Sequence, residues 1–280
     1  MIPIEIIKKD VLSWIKEDIV DWDVSTIPTN FDKIIKAKII AKQVGIIGGL
    51  TVAKVILELY NLNYEVFVKE GDKVSKGDIL FQLEGESRII LSIERTLLNI
   101  FSHMSGIATL THNILLQIKS INPQIILAGT RKTLPGLRNY QKWAITIGGG
   151  DPHRMTLSSM VMLKENHIHL LGGVKEAIII TRSKISFTNK IEVEVQNLEE
   201  AIIAAENQAD IIMLDNFSPD DVKIAIPKLR DINPKVLIEI SGNLNENNIS
   251  DYLSNDINIV SMGKLTHSST VFDMSLLFYD

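Results

Sequence analysis

Two textures of apolar and polar positions divide the chain near residue 106. Up to that point the pattern is irregular. A charged amphipathic start is followed by a glycine-punctuated stretch from Val44 to Leu50 and then by YEVFVKEGDKVSKGDILFQLEG, where Gly71-Asp72 and Gly77-Asp78 interrupt alternating apolar residues. Alternation broken by Gly-Asp pairs predicts short strands joined by turns, hence a small β unit. From about Ile107 the texture changes to short apolar runs separated by helix-like stretches. The runs are IILAG (Ile125 to Gly129), AITIGG (Ala144 to Gly149), VMLKE (Val161 to Glu165), IEVEV (Ile191 to Val195), IIMLDN (Ile211 to Asn216), VLIEISG (Val236 to Gly242) and INIVSMG (Ile257 to Gly263). Between them, Asn197 and Ser218 are good N-caps, and Leu198, Ile202 and Ala205 keep helical spacing.

Buried strands alternating with helices predict a parallel sheet. Seven such runs exceed what one open nucleotide-binding unit needs, so the expected fold is an α/β barrel, closed or incomplete, with a doubly wound open sheet as the alternative. The expected division is an N-terminal α/β sandwich over residues 1–106, completed by 266–280, and the barrel over 107–265.

Composition narrows the partners. With 280 residues, 45% hydrophobic and 22% charged, the chain can bury a large core. A net charge of −5 argues against bulk attraction to nucleic acid or an anionic membrane, so any anion site must be local. No cysteine means no disulfide, thiolate metal site or cysteine nucleophile, which fits a reducing cytoplasm. No run of about 18 apolar residues suggests a membrane span.

The candidate chemistry lies after the apolar runs. Arg131 and Lys132 follow the first; Lys164 ends the third, Glu194 the fourth, Asp215 the fifth; Ser241 and Gly242 close the sixth and Gly263 the seventh. In a parallel barrel these positions converge on the mouth where active sites form, and small residues after the last two strands offer backbone N–H groups to a phosphate. A lone strand-end Lys or Asp is an ordinary solvated residue; the repetition at successive ends is what points to a site. His153 and Arg154, just past Gly148 to Gly150, add to the cationic set, which suits a dicarboxylate beside a pyrophosphate. Arg138 and Lys142, four apart on a predicted helix, read as a solvated face, and His167 and His169 as caps or packing. Glu194 and Asp215 suit Mg²⁺ or a positively charged ribosyl carbon, and Glu192 faces the same interior if Glu194 does.

In this order and spacing, GTRKTLPGLR, GGGDPHR, LKENH, IEVEV, IIMLDNF, ISGN and SMGKLTHS resemble the quinolinate phosphoribosyltransferase family, and ERTLLNIFSHMSGIATLT extends the resemblance from Glu94 to Thr111. The resemblance is specific from about Leu91 onward and loose before it. It implies an enzyme that converts quinolinate and phosphoribosyl pyrophosphate to nicotinate mononucleotide, pyrophosphate and CO₂ with Mg²⁺. It also implies that Arg95, Arg131, Lys132, His153, Arg154 and Lys164 hold the quinolinate carboxylates, with Lys132 and Lys164 also near the pyrophosphate. By the same resemblance, Glu194 and Asp215 form the ribose and Mg²⁺ side, and Ser241, Gly242 and Gly263 cradle the 5′-phosphate. Arg95 would serve the neighbouring subunit's site in a homodimer or a higher oligomer. Two departures stand out: Glu165 where Asp is frequent, and Asn243 where a second glycine is common.

Three other readings are compatible with parts of the sequence. Two share the fold: a related protein of molybdenum uptake and an enzyme using nicotinate itself, the latter having no need for so many cations. The third is a lipoyl or biotinyl carrier, since VKEGDKVSKGDILFQLEG resembles a hammerhead; its expected tip, EGESR, offers no lysine.

Overall fold

The computed structural model describes residues 2–21, 23–27, 32–253 and 256–279. Its elements, in chain order, are α1 (Ile4–Asp18), β1 (Ile34–Ala41), β2 (Gly45–Ile46), α2 (Leu50–Leu59), β3 (Asn63–Val66), β4 (Lys73–Val74), β5 (Ile79–Glu86) and α3 (Ser87–Ile121). They continue with β6 (Ile126–Ala128), α4 (Arg138–Ile147), β7 (Val161–Leu163), α5 (Glu165–Leu171), α6 (Val174–Arg182), β8 (Ile191–Val195), α7 (Leu198–Glu206) and β9 (Ile211–Asp215). The last are α8 (Pro219–Ile232), β10 (Leu237–Ser241), β11 (Ile259–Ser261), α9 (Lys264–His267) and β12 (Met274–Tyr279). Two compact units result: Met1–His112 with Asn139–Gly149 and Ser269–Asp280, and Asn113–Arg138 with Gly150–Ser268.

The first unit is built on an antiparallel sheet of order β12-β1-β5-β3. Period-2 burial puts Ala37 opposite Leu83 and Ile39 opposite Phe81 on one buried face. Phe81 meets Phe101 of α3 edge-on at 5.9 Å, so that face packs on the long helix. The Gly-Asp turns form as the pattern predicts, with Gly71 and Gly77 at φ +86° and +98°. EGESR is not a hairpin tip, however: β5 runs through Glu86 directly into α3.

Helix α2 starts at Gly49, which has no side chain to cap it. Glu70 substitutes by accepting from the N–H groups of Gly49 (2.6 Å), Leu50 (3.1 Å) and Thr51 (3.3 Å). Glu70→Ala is therefore expected to lower stability by about 1–2 kcal/mol. Thermal melting checks this; an unchanged melting temperature would show that the cap contributes nothing.

The run Ala144 to Gly149 is not a strand. Arg138–Ile147 is the helix α4, and it groups with the first unit rather than with the parallel sheet. Tyr140, Gln141, Lys142, Ala144 and Ile145 are all buried, a helical stripe that a four-residue apolar run cannot reveal by itself. The Tyr140 hydroxyl donates to Asp10 at 2.7 Å, and the Tyr140 ring meets Trp14 edge-on at 4.9 Å. At the end of α4 only glycine fits: a Cβ on Gly148 would lie 2.5 Å from the Ala108 carbonyl oxygen of α3. Lys142 is thus buried, not part of a solvated face as its spacing suggested.

The second unit holds a six-stranded sheet of order β6-β11-β10-β9-β8-β7, parallel throughout. No pairing joins β6 to β7 among the described residues, so the barrel is incomplete. Without the expected second strand, the chain leaves β6 through a loop and α4 and returns at Asp151, which makes one parallel bridge to Ala128. On the inner face, Ala128, Ile211 and Ile259 pack with Met160 and Leu237 as an apolar floor. The other face carries Val193, Ile212, Leu214, Ile238 and Ile240, all buried. Burial on both faces explains why the strands read as continuous apolar runs interrupted only by Glu192, Glu194 and Glu239.

Candidate active site

Because the strands are parallel and in register, their C-terminal ends open on one side. Asp215 of β9 pairs with Ser241 of β10, and Glu194 of β8 with Met213 of β9. Above the apolar floor these inner-face residues, with the loops that follow, enclose a cavity of about 590 Å³. Its lining includes every candidate site residue except Arg95: Arg131, Lys132, His153, Arg154, Lys164, Glu194, Asp215, Ser241, Gly242 and Gly263. Arg95 is exposed on α3, within the other unit. Glu239 and Lys264 also line the cavity. Sequence reasoning missed Glu239, although its signal was the one that marked Glu192: a carboxylate inside an apolar strand, two residues before a strand-end candidate.

The cations are only partly compensated. Lys164 forms a short ion pair with Glu194. Arg154 donates to the Met160 carbonyl at 3.3 Å. Its guanidinium is held below the usual arginine range by burial first and by the neighbouring Arg131 second, against the opposing pull of Glu192 and Glu194. The Nε of Arg131 is buried and has no hydrogen-bond partner. Two guanidinium groups that repel each other, one with a buried donor unpaired, form a site that an anion would complete.

The opposite wall is built from two interlocked loops. Gly242 has φ +95°, and a Cβ there would lie 2.3 Å from Asn216 Oδ1 and 2.7 Å from the Asn216 backbone nitrogen, so glycine is required for both conformation and space. The N–H of Asn216 donates to the Ser241 carbonyl (2.9 Å), its side-chain amide to Asp215 (2.8 Å), and Asn243 donates to Asn216 Oδ1 (3.1 Å). Asn243 itself has φ +50°, a region that asparagine tolerates better than most residues, so it performs the turn that a second glycine would. On the adjoining loop the Thr266 hydroxyl donates to the Lys132 carbonyl at 2.7 Å, tying the first strand end to the last. His167 lies outside this arrangement; its Nδ1 accepts from the Lys164 N–H at 3.1 Å.

Beneath the cations lies a buried acidic pair. Glu192 and Glu239 are fully buried, and His153 reaches them through Nε2, 3.2 Å from Glu239 and 3.5 Å from Glu192. Burial first, and Glu239 second, raises the Glu192 carboxyl well above the usual carboxylate range. The N–H of Arg154 donates to His153 Nδ1 at 2.8 Å. Both ring nitrogens are therefore engaged inside the protein, and His153 lines the cavity without a free nitrogen for a substrate.

An incomplete α/β barrel that gathers arginines, lysines and carboxylates at its strand ends, with a tight glycine loop opposite, defines an enzyme for small, highly anionic substrates. The family model described as quinolinate phosphoribosyl transferase, C-terminal domain, matches residues 107–277, and the corresponding N-terminal-domain model matches 23–105. The chain belongs to the quinolinate phosphoribosyl transferase family.

Its relatives agree in name. The "probable nicotinate-nucleotide pyrophosphorylase (carboxylating)" of Archaeoglobus fulgidus is 42% identical over 256 residues, covering 91% of this chain and 97% of that protein. The human nicotinate-nucleotide pyrophosphorylase (carboxylating) is 32% identical, covering 95% and 90%. The crystal structure of NadC from Streptococcus pyogenes superposes with a TM-score of 0.91 at 34% identity, covering 100% of this chain and 99% of that one.

Proposed function

We propose that this enzyme transfers the phosphoribosyl group of phosphoribosyl pyrophosphate to quinolinate with loss of CO₂, giving nicotinate mononucleotide and pyrophosphate. The observation that carries this reading is the adjacent arginine pair, Arg131 with its buried Nε unpartnered and Arg154 next to it, beside Lys132 and Lys164. Adjacent carboxylates on a pyridine ring would compensate these cations in a way that one carboxylate could not.

The residues divide the work. Arg131, Arg154 and Lys164 bind quinolinate, with Lys132 reaching both it and the pyrophosphate. The loops of Ser241, Gly242 and Gly263 hold the 5′-phosphate with backbone N–H groups. Glu194 and Asp215 lie where positive charge develops on the ribosyl carbon as the bond to pyrophosphate lengthens and the quinolinate nitrogen attacks. The bond from C2 to its carboxylate then breaks, CO₂ leaves, the pyridinium nitrogen stabilises the electron pair left on C2, and that carbon takes up a proton from solvent, so no protein nucleophile is needed. Glu194 and Asp215 are hard oxygen donors at neighbouring strand ends and fit Mg²⁺ if substrate oxygens and water complete the shell. Bound there, the ion would supply charge neutralisation to the departing pyrophosphate. The enzyme works in the cytoplasm as a homodimer in which Arg95 serves the partner's site.

The test is substrate choice. Removing one carboxylate leaves half-buried cations unpaired, so kcat/KM for nicotinate is expected to be roughly 10²- to 10⁴-fold below that for quinolinate. Comparable turnover of the two would overturn the assignment.

A further inference from the structure

The buried Glu192–Glu239–His153 group is not accounted for by substrate binding. Its three ligand-type atoms lie within 4.8 Å of one another, Glu239 is fully buried, and its second oxygen Oε1 has no partner. Carboxylates enclosed this way are unfavourable unless a cation, a proton or a donor compensates them, and their presence inside a barrel needs a reason. A metal ion is the first candidate, but the histidine argues against it. His153 Nδ1 already accepts the Arg154 N–H at 2.8 Å, so Nδ1 carries no proton. The neutral ring then bears its proton on Nε2, the atom that faces the carboxylates, and that atom has no lone pair for a metal.

We propose that Glu239, with Glu192 beside it, is a positioning residue that accepts from His153 Nε2–H and thereby sets the backbone and guanidinium of Arg154 at the cavity wall. The chain of contacts is short. Glu239 Oε2 lies 3.2 Å from Nε2, and the same ring takes the Arg154 N–H. His153 is in the left-handed region at φ +54°, uncommon outside glycine although histidine adopts it more readily than most residues, and its own N–H is tied to Asp151 Oδ1 at 2.6 Å. Three tethers thus hold one residue in an uncommon backbone conformation, and the next residue in the chain is Arg154, which lines the cavity. From the floor side the ring meets the two carboxylates.

The proposal rests on Arg154 contacting quinolinate, and its test separates the two ideas. Glu239→Gln keeps a carbonyl acceptor at the same reach, whereas Glu239→Leu removes it at similar volume. The expected result is a KM for quinolinate within about twofold of wild type in E239Q and about tenfold higher in E239L, with kcat and the KM for phosphoribosyl pyrophosphate changed less than about twofold in both. A merely structural role would shift both KM values together and would not be rescued by glutamine. Equal losses in E239Q and E239L would overturn the proposal, because charge rather than the hydrogen bond would then matter. Nitrogen-15 NMR of the histidine-labelled wild-type enzyme, with His153 assigned by substitution, reads the tautomer independently of activity and of whether E239L folds. The Nε2–H form is expected, and a resting Nδ1–H ring would overturn the proposal. A wild-type enzyme inactive on quinolinate but with the Nε2–H ring would sink the substrate reading and leave the positioning contact standing.

Discussion

Homodimers of Arg95→Ala and of Lys132→Ala are each expected to lose nearly all activity, yet refolding the two together should restore roughly a quarter of the wild-type rate. Random pairing makes half the dimers mixed. If Arg95 acts across the interface, one of the two sites in each mixed dimer combines an intact Lys132 with an intact Arg95. The placement of Arg95 motivates the test: it is exposed on α3 and is the one candidate residue that does not line the cavity of its own chain. Differently tagged chains confirm exchange. No recovered activity after proven exchange would place Arg95 in its own chain's site or outside any site.

The second large effect concerns Asp215. Asp215→Asn is expected to lower kcat by roughly 10²- to 10³-fold while leaving quinolinate affinity, measured by titration, within about threefold of wild type. The carboxylate lies at the end of β9 in the middle of the sheet, held by the Asn216 amide at 2.8 Å, whereas Arg131 follows edge strand β6 and Arg154 precedes edge strand β7. Its charge should therefore act on the cationic ribosyl centre of the transition state more than on bound quinolinate. A mutant that loses quinolinate binding instead would move Asp215 to the pyridine side.

How much of this was legible in the sequence depends on the length and surroundings of each signal. IEVEV and IIMLDN are bounded by good caps and turns, so their strand character and their terminal carboxylates could be read directly. AITI could not: four apolar residues fit either a strand or a buried helix, and only the packing of Tyr140, Ala144 and Ile145 decides for the helix. Lys142 is buried against the expectation for the same reason, since spacing shows which residues share a helix face but not whether that face is solvated. His153 was placed at the site by its neighbours in sequence. That its ring points inward to Glu192 and Glu239 follows from a left-handed backbone and from strand register, neither of which is local information. Gly242 is the opposite case, because a glycine after a strand already suggests a close approach, and here that approach is to Asn216.

The central claim is that two carboxylates of one ring meet the cationic wall and that one of them leaves as CO₂. Quinolinate labelled in its 2-carboxylate, incubated with the purified protein, phosphoribosyl pyrophosphate and Mg²⁺, tests it most directly. The account predicts one labelled CO₂ released for each nicotinate mononucleotide formed, and none when phosphoribosyl pyrophosphate is omitted. Nucleotide formed without labelled CO₂, or no nucleotide from quinolinate at all, would contradict it.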